Sequence, residues 1–328
     1  MKIKILIIVI LLSIITIFSL KLGEVEVSWQ EIFKVITADY DSGIESSIVR
    51  DIRLPRILIA LIVGAGLAVS GGVFQSVLRN PLAEPYTLGI SGGACFGVAL
   101  ASLFLGSKFS FLIPPAGWLG ALAAVFIVYF LSLRRNFTTI SLILSGIVIN
   151  FLFSSLVLVL FAFIKPNRVQ SMILWLMGDL SSSNFNLVKI GYFVILPAIV
   201  IIVLLSRKLD ILSLGDEKAH SLGLNVKKQK QCFYILASLI TGTAIVLSGV
   251  VGFIGLLIPH LMRRFFGTLN RGVLIASALS GAAFLLLADT FARVIISPLE
   301  LPVGVVTGLV GGVFFLVILI LGKEFKVG

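Results

Sequence analysis

The chain has 328 residues, of which 59% are hydrophobic and only 12% charged, with a mean hydropathy of +1.16. An ordinary soluble domain is about 45–50% apolar and about 25% charged, so a water-soluble enzyme, a disordered chain and a disulfide scaffold are excluded. Apolar runs recur from end to end, and a polytopic membrane protein is left to account for a formal charge of +11.

In chain order, Lys2 and Lys4 precede an apolar run from Ile5 to Leu20 that stops at Lys21-Leu22-Gly23-Glu24. No small-x-small cleavage site follows, so the run reads as an uncleaved first membrane helix. Ser28-Trp29-Gln30-Glu31 is a capping box opening a short amphipathic helix through Ile36, placed on the membrane surface. Windows able to cross about 30 Å of hydrocarbon predict ten helices. They lie near 4–21, 54–78, 86–105, 111–133, 139–163, 187–206, 231–249, 251–266, 272–293 and 302–321. The segment 251–266 is short, contains Pro259-His260 and reads as a broken or partly inserted helix. The expected fold is therefore all-α, one polytopic transmembrane domain over 1–328.

Charge sets the direction. With the N-terminus inside, 16 of the 26 Lys and Arg and five of the 15 acids, Glu84 among them, fall on the cytoplasmic side. The whole +11 then lies on that face, and the other side is neutral, as the positive-inside bias requires. Both termini are expected in the cytoplasm. The basicity reflects topology and anionic headgroups, and no nucleic acid is implied.

Two spans carry doubled GxxxG spacing, at Gly89, Gly93, Gly97 and at Gly304, Gly308, Gly312. Residues four apart share a helix face, so both stripes are expected to pack closely against neighbouring helices. Cys95 and Cys232 stand alone in apolar sequence and read as small packing residues. Ser70 precedes Pro81 and Ser248 precedes Pro259 by the same eleven positions. This echo suggests an inverted repeat of helices 2–5 and 7–10.

Ion-coupled carriers bury ionisable groups at mid-span, and essentially none is expected here. Asp289 has Arg293 four residues on, a pair that can satisfy it, and His260 reads as a structural group at the cytoplasmic edge. There is no GxxxxGK phosphate loop, HExxH or GxSxG, so the chain is not itself an ATPase, and no enzyme or metal signature rests on its residues. Its energy must come from elsewhere. The longest cytoplasmic loop, about 207–229, reads as two short helices broken at Gly215 and stopped at Gly223, with Ala219 and Leu222 on one face. Such a hairpin is a handle for a soluble partner.

Several ordered motifs resemble the FecCD-type permeases, the membrane subunits of ABC importers for ferric siderophores, haem and vitamin B12. They are Arg53-Leu-Pro-Arg56, Val63-Gly-Ala-Gly-Leu-Ala-Val-Ser-Gly71 and Arg79-Asn-Pro-Leu-Ala-Glu-Pro85 with Leu88-Gly89. Then come Trp175-Leu-Met-Gly178, Leu214-Gly-Asp-Glu-Lys-Ala219 with Ser221-Leu-Gly223, and Gly252-Phe-Ile-Gly-Leu-Leu-Ile-Pro-His260. Leu287-Ala-Asp289 with Ala292-Arg293, and Glu300-Leu-Pro302 with Gly304, complete the set.

The resemblance implies ten helices per subunit, a homodimer with the path between subunits, a cytoplasmic ATPase dimer that binds ATP and Mg, and an extracytoplasmic binding protein. No cofactor is implied for this chain. By the same resemblance Arg53, Arg56 and Arg293 receive acids of the binding protein, a task that suits the planar guanidinium. Asn80, Leu82 and Thr139 match a cytoplasmic gate, whose next position, a serine in the vitamin B12 importer, is Ile140 here. The coupling segment that seats on the ATPase matches Leu214, Gly215, Asp216, Glu217, Ala219, Leu222 and Gly223. The expected protein imports an iron chelate, a ferric siderophore first, across a prokaryotic cytoplasmic membrane. Haem and cobalamin are the alternatives within the family, and an ion-coupled secondary carrier or a scaffolding membrane protein are those outside it.

Overall fold

The computed structural model describes residues 2–23, 25, 27–37, 43–104, 112–297 and 299–320, and these are all-helical. Each of the ten predicted segments contains a helix: α1 (Lys2–Lys21), α4 (Leu54–Leu78), α5 (Ile90–Phe104), α6 (Ile113–Leu133), α7 (Thr139–Phe161), α9 (Phe185–Leu204), α12 (Val226–Ser248), α13 (Ile254–Phe266), α14 (Asn270–Val294) and α15 (Val303–Ile320). Seven of them are long and apolar enough to cross a membrane, while α5, α13 and α15 are shorter. Short elements fill the connections: α2 (Trp29–Ile36), α3 (Ile44–Ser47), α8 (Pro166–Leu176), α10 (Ser206–Ser213) and α11 (Asp216–Ser221). The Ser28 hydroxyl accepts the Glu31 N–H at 3.2 Å, so α2 begins at the predicted cap. The amphipathic helix α8 has no counterpart in the apolar windows, and its only local signal is Pro166 in its first turn.

Helix α4 is the axis of the bundle. In its most apolar window 83% of the residues are buried inside the protein, against 11% for α1, which lies at the edge. Glycines let its neighbours approach at backbone distance. A Cβ at Gly64 would run into the Gly281 carbonyl of α14, one at Gly71 into Gly255 of α13, and one at Gly66 into Ile195 of α9 and Ile240 of α12. Helices α5 and α6 join in the same way, Gly93 and Gly97 facing Gly120 and Ala116.

The two glycine stripes behave differently from expectation at three positions. Gly89 lies outside α5, at φ +84°, where it ends the 3₁₀ turn Pro85–Leu88 and delays the helix predicted from 86 to Ile90. In α15, Gly304 packs on the Met177 carbonyl, but a Cβ at Gly308 or Gly312 would meet nothing within 4 Å. Gly311 is the residue that faces inward, against the Phe253 ring. Two of the three glycines of the second stripe therefore face away from the described chain.

Candidate functional sites at the two ends of the bundle

At one end the connection between α9 and α12 forms the predicted hairpin. Gly215 (φ +107°) separates α10 from α11, Gly223 (φ +79°) ends the turn after α11, and Asn225 caps α12 by accepting the Lys228 N–H at 3.1 Å. Leu209, Leu212 and Ala219 are buried against the bundle, while Leu214 and Leu222 are 55% and 62% exposed. Ala219 and Leu222 therefore do not share a face. Helix α11 stops at Ser221, and Leu222 turns outward with the chain.

Two acids lock the hairpin to the bundle. Asp210 Oδ1 accepts both the backbone N–H and the Nδ2 of Asn270 at 2.8 Å, capping α14. Asn270 Oδ1 in turn accepts Ser76 Oγ of α4 at 2.8 Å and Arg263 Nη2 of α13 at 3.0 Å. Asp216 Oδ2 accepts Lys230 Nζ at 2.7 Å, and Arg79 Nη2 stands 3.6 Å from the other carboxylate oxygen. Glu217 is exposed.

The candidate gate residues stand beside this lock. Arg79 ends α4 in the left-handed region (φ +48°), and the next residue, Asn80, accepts the Leu82 N–H at 2.9 Å. Leu82 is 55% and Ile140 78% exposed, and Thr139 Oγ1 lies 3.4 Å from Lys230 Nζ. The structure thus links Asp216 of the hairpin to Thr139 through Lys230 and to Arg79, the residue before Asn80. Lys230 and Arg79 were not among the candidates, and in sequence Lys230 does not differ from its exposed neighbours Lys227 and Lys228.

At the opposite end, Arg53, Arg56 and Arg293 are all buried. Arg53, within the π-helical turn Ile48–Arg53, donates to the carbonyls of Leu20, Lys21 and Val25, capping α1. Arg56 forks, its Nε on Asp289 Oδ1 and its Nη1 on Glu300 Oε2, both at 2.8 Å. Arg293 Nε pairs with Asp289 Oδ2 at 3.1 Å, as expected, and its Nη2 donates to Ser19 Oγ. Asp289 is fully buried between the two, and Glu300 is 39% exposed. All three arginines line one pocket with Glu300 and Gly23.

A third feature corrects the census of buried charge. The segment after Arg79 folds back into the bundle: a Cβ at Gly255 would touch both Pro85 and the Leu67 carbonyl, at the midpoint of α4. There Glu84 Oε1 accepts the Phe253 N–H at 2.8 Å, and Tyr86 Oη accepts the Val251 N–H at 3.2 Å. Glu84 therefore sits at mid-height, not in an end loop. An acid in a proline-rich stretch outside every apolar window reads as loop, and only its partner 169 residues away reveals the depth.

Residues 11–321 match the FecCD transport family. The chain belongs to that family. The hemin transport system permease protein HmuU of Yersinia pestis is 38% identical over 328 residues, 97% of this chain and 96% of the relative. The iron(3+)-hydroxamate import system permease protein FhuG of Bacillus subtilis is 33% identical over 320 residues, 94% of each chain. A solved structure described as an inward-facing conformation of a metal-chelate type ABC transporter superposes with a TM-score of 0.87 at 30% identity, over 97% of this chain and 99% of that one. The FecCD protein is a multi-pass membrane permease of an ABC importer, and in this family ATP hydrolysis belongs to a separate subunit.

Proposed function

We propose that this FecCD permease carries an iron chelate into the cytoplasm, with a ferric siderophore ranked ahead of haem and cobalamin. The observation that carries the reading is the hairpin, which presents two exposed leucines just past the ends of α10 and α11, while its acids Asp210 and Asp216 are anchored to the bundle and to Lys230 beside the gate. Seated on an ATPase dimer, that surface would transmit closure of the ATPases into alternation between outward- and inward-facing states. The iron(3+)-hydroxamate and hemin relatives support an iron chelate. In this reading ten helices cross the cytoplasmic membrane with both termini inside, and two copies pair around the path. The open faces of Gly308 and Gly312 suit such a contact.

The arginine end is the proposed seat of the binding protein. Its arginines are engaged within the chain, so a docking carboxylate would take the place of the half-exposed Glu300 on Arg56. Glu84 is the kind of acid that would favour an ion-coupled carrier, but its carboxylate is tied to a backbone amide, and family membership assigns the energy to ATP.

Proteoliposomes holding the permease and its ATPase, with the binding protein outside, test the function. ATP-dependent accumulation of labelled ferric hydroxamate in preference to haem and cobalamin is expected. Accumulation that ignores ATP and follows an imposed proton gradient would overturn the proposal.

A further inference from the structure

We infer that Lys230 is a positioning residue that couples the hairpin to the gate, its ammonium bridging Asp216 at the start of α11 and Thr139 at the start of α7. The inference rests on the hairpin and gate readings above.

Lys230 lies one turn into α12, and its side chain is 2% exposed, whereas Lys227 and Lys228 of the same turn are exposed. A lysine is buried almost completely only where partners hold its charge. Here they are Asp216 Oδ2 at 2.7 Å and Thr139 Oγ1 at 3.4 Å. The ammonium is a compact charge on a flexible stem, with separate donors for the two acceptors. The second gate segment reaches the same carboxylate by another route. Arg79, adjacent to Asn80, stands 3.6 Å from Asp216 Oδ1.

Asp216 is thus the point at which a shift of α11 is felt by both walls of the gate, directly by the 79–82 turn and through Lys230 by α7. Asp210 holds α10 to α14 by a separate set of bonds, so α10 is anchored independently of Asp216. A salt bridge that served only to stabilise the hairpin would need no contact with Thr139.

Lys230→Met is the direct test, because Asp216 is 44% exposed and keeps water and Arg79 when the ammonium is removed. The complete complex is reconstituted with its ATPase and binding protein and supplied with labelled ferric hydroxamate, haem and cobalamin. The ATP hydrolysed per molecule imported is then measured. Lys230→Met is expected to assemble and hydrolyse ATP like the wild type while the ATP spent per molecule rises about tenfold. Thr139→Val removes only the gate-side acceptor, leaves the Lys230–Asp216 pair intact, and is expected to raise the same ratio.

An unchanged ratio in both variants overturns the inference. If Lys230→Met fails to assemble, Thr139→Val decides alone, and a wild-type ratio there reduces Lys230 to a brace of the hairpin. Wild-type import that needs no ATP would instead sink the importer reading itself.

Discussion

Among single residues, Asp289 carries the largest structural consequence. It is fully buried between Arg56 and Arg293, so its removal leaves buried Arg293 without its paired carboxylate and buried Arg56 with only Glu300. Losing one member of such a cluster costs about 3–5 kcal/mol. Glu300 holds the same Arg56 from a partly exposed position, where an ion pair is worth about 1 kcal/mol or less. Asp289→Ala should therefore unfold in detergent at markedly lower denaturant than wild type, and Glu300→Gln should stay close to it. Equal effects would mean that the two acids share the load. The contrast also bears on docking. Reversing Arg56 would break the fold before it reported on any partner, whereas Glu300→Gln leaves Arg56 free to accept a binding protein's acid.

Glycine decides how the elements meet. Gly97 faces the Ala116 carbonyl across the α5–α6 contact, and Gly308 faces open space. Gly97→Leu should force those helices apart at a cost of about 1–3 kcal/mol or more. Gly308→Leu should leave the unfolding of a single chain unchanged while weakening self-association, measured by cross-linking in membranes. Intact dimers in Gly308→Leu would place the subunit contact elsewhere.

Much at this scale was legible in the sequence. The apolar windows, the Ser28 cap and the breaks at Gly215 and Gly223 are local signals: each window contains a helix, though not always with the predicted ends, and the cap and breaks fall where the residues place them. What could not be read depends on distant partners. Spacing made Gly308 and Gly312 equivalent to Gly304, but only the fold shows which side of α15 has a neighbour. Likewise, the Asp289–Arg293 pair is legible at four-residue spacing, but Arg53 and Arg56 look free until the carbonyls of α1 and the two acids come into place around them.

For the whole molecule, the charge asymmetry makes a prediction about direction. In a variant with Cys95 and Cys232 replaced by Ala, a cysteine introduced at the exposed Glu217 should react with a membrane-impermeant maleimide only from the cytoplasmic side. One at Trp29 should react only from the opposite side. The reverse pattern would invert the assignment of both ends, and labelling of both sites from one side would break the span count.

The meeting of the two irregular segments at mid-height also has a consequence for biosynthesis. Backbone amides at that depth need protein partners, and those of Val251 and Phe253 find theirs in Tyr86 and Glu84. Glu84 leaves the ribosome 169 residues before Phe253 does. At about 5–20 residues per second, that interval is roughly 10 to 30 s. Throughout it the Glu84 carboxylate lacks the backbone amide that it accepts in the finished fold. Translation of the second half thus completes the first, and a chain truncated before residue 251 is expected to be shorter-lived in the membrane than the full chain, as read by pulse-chase.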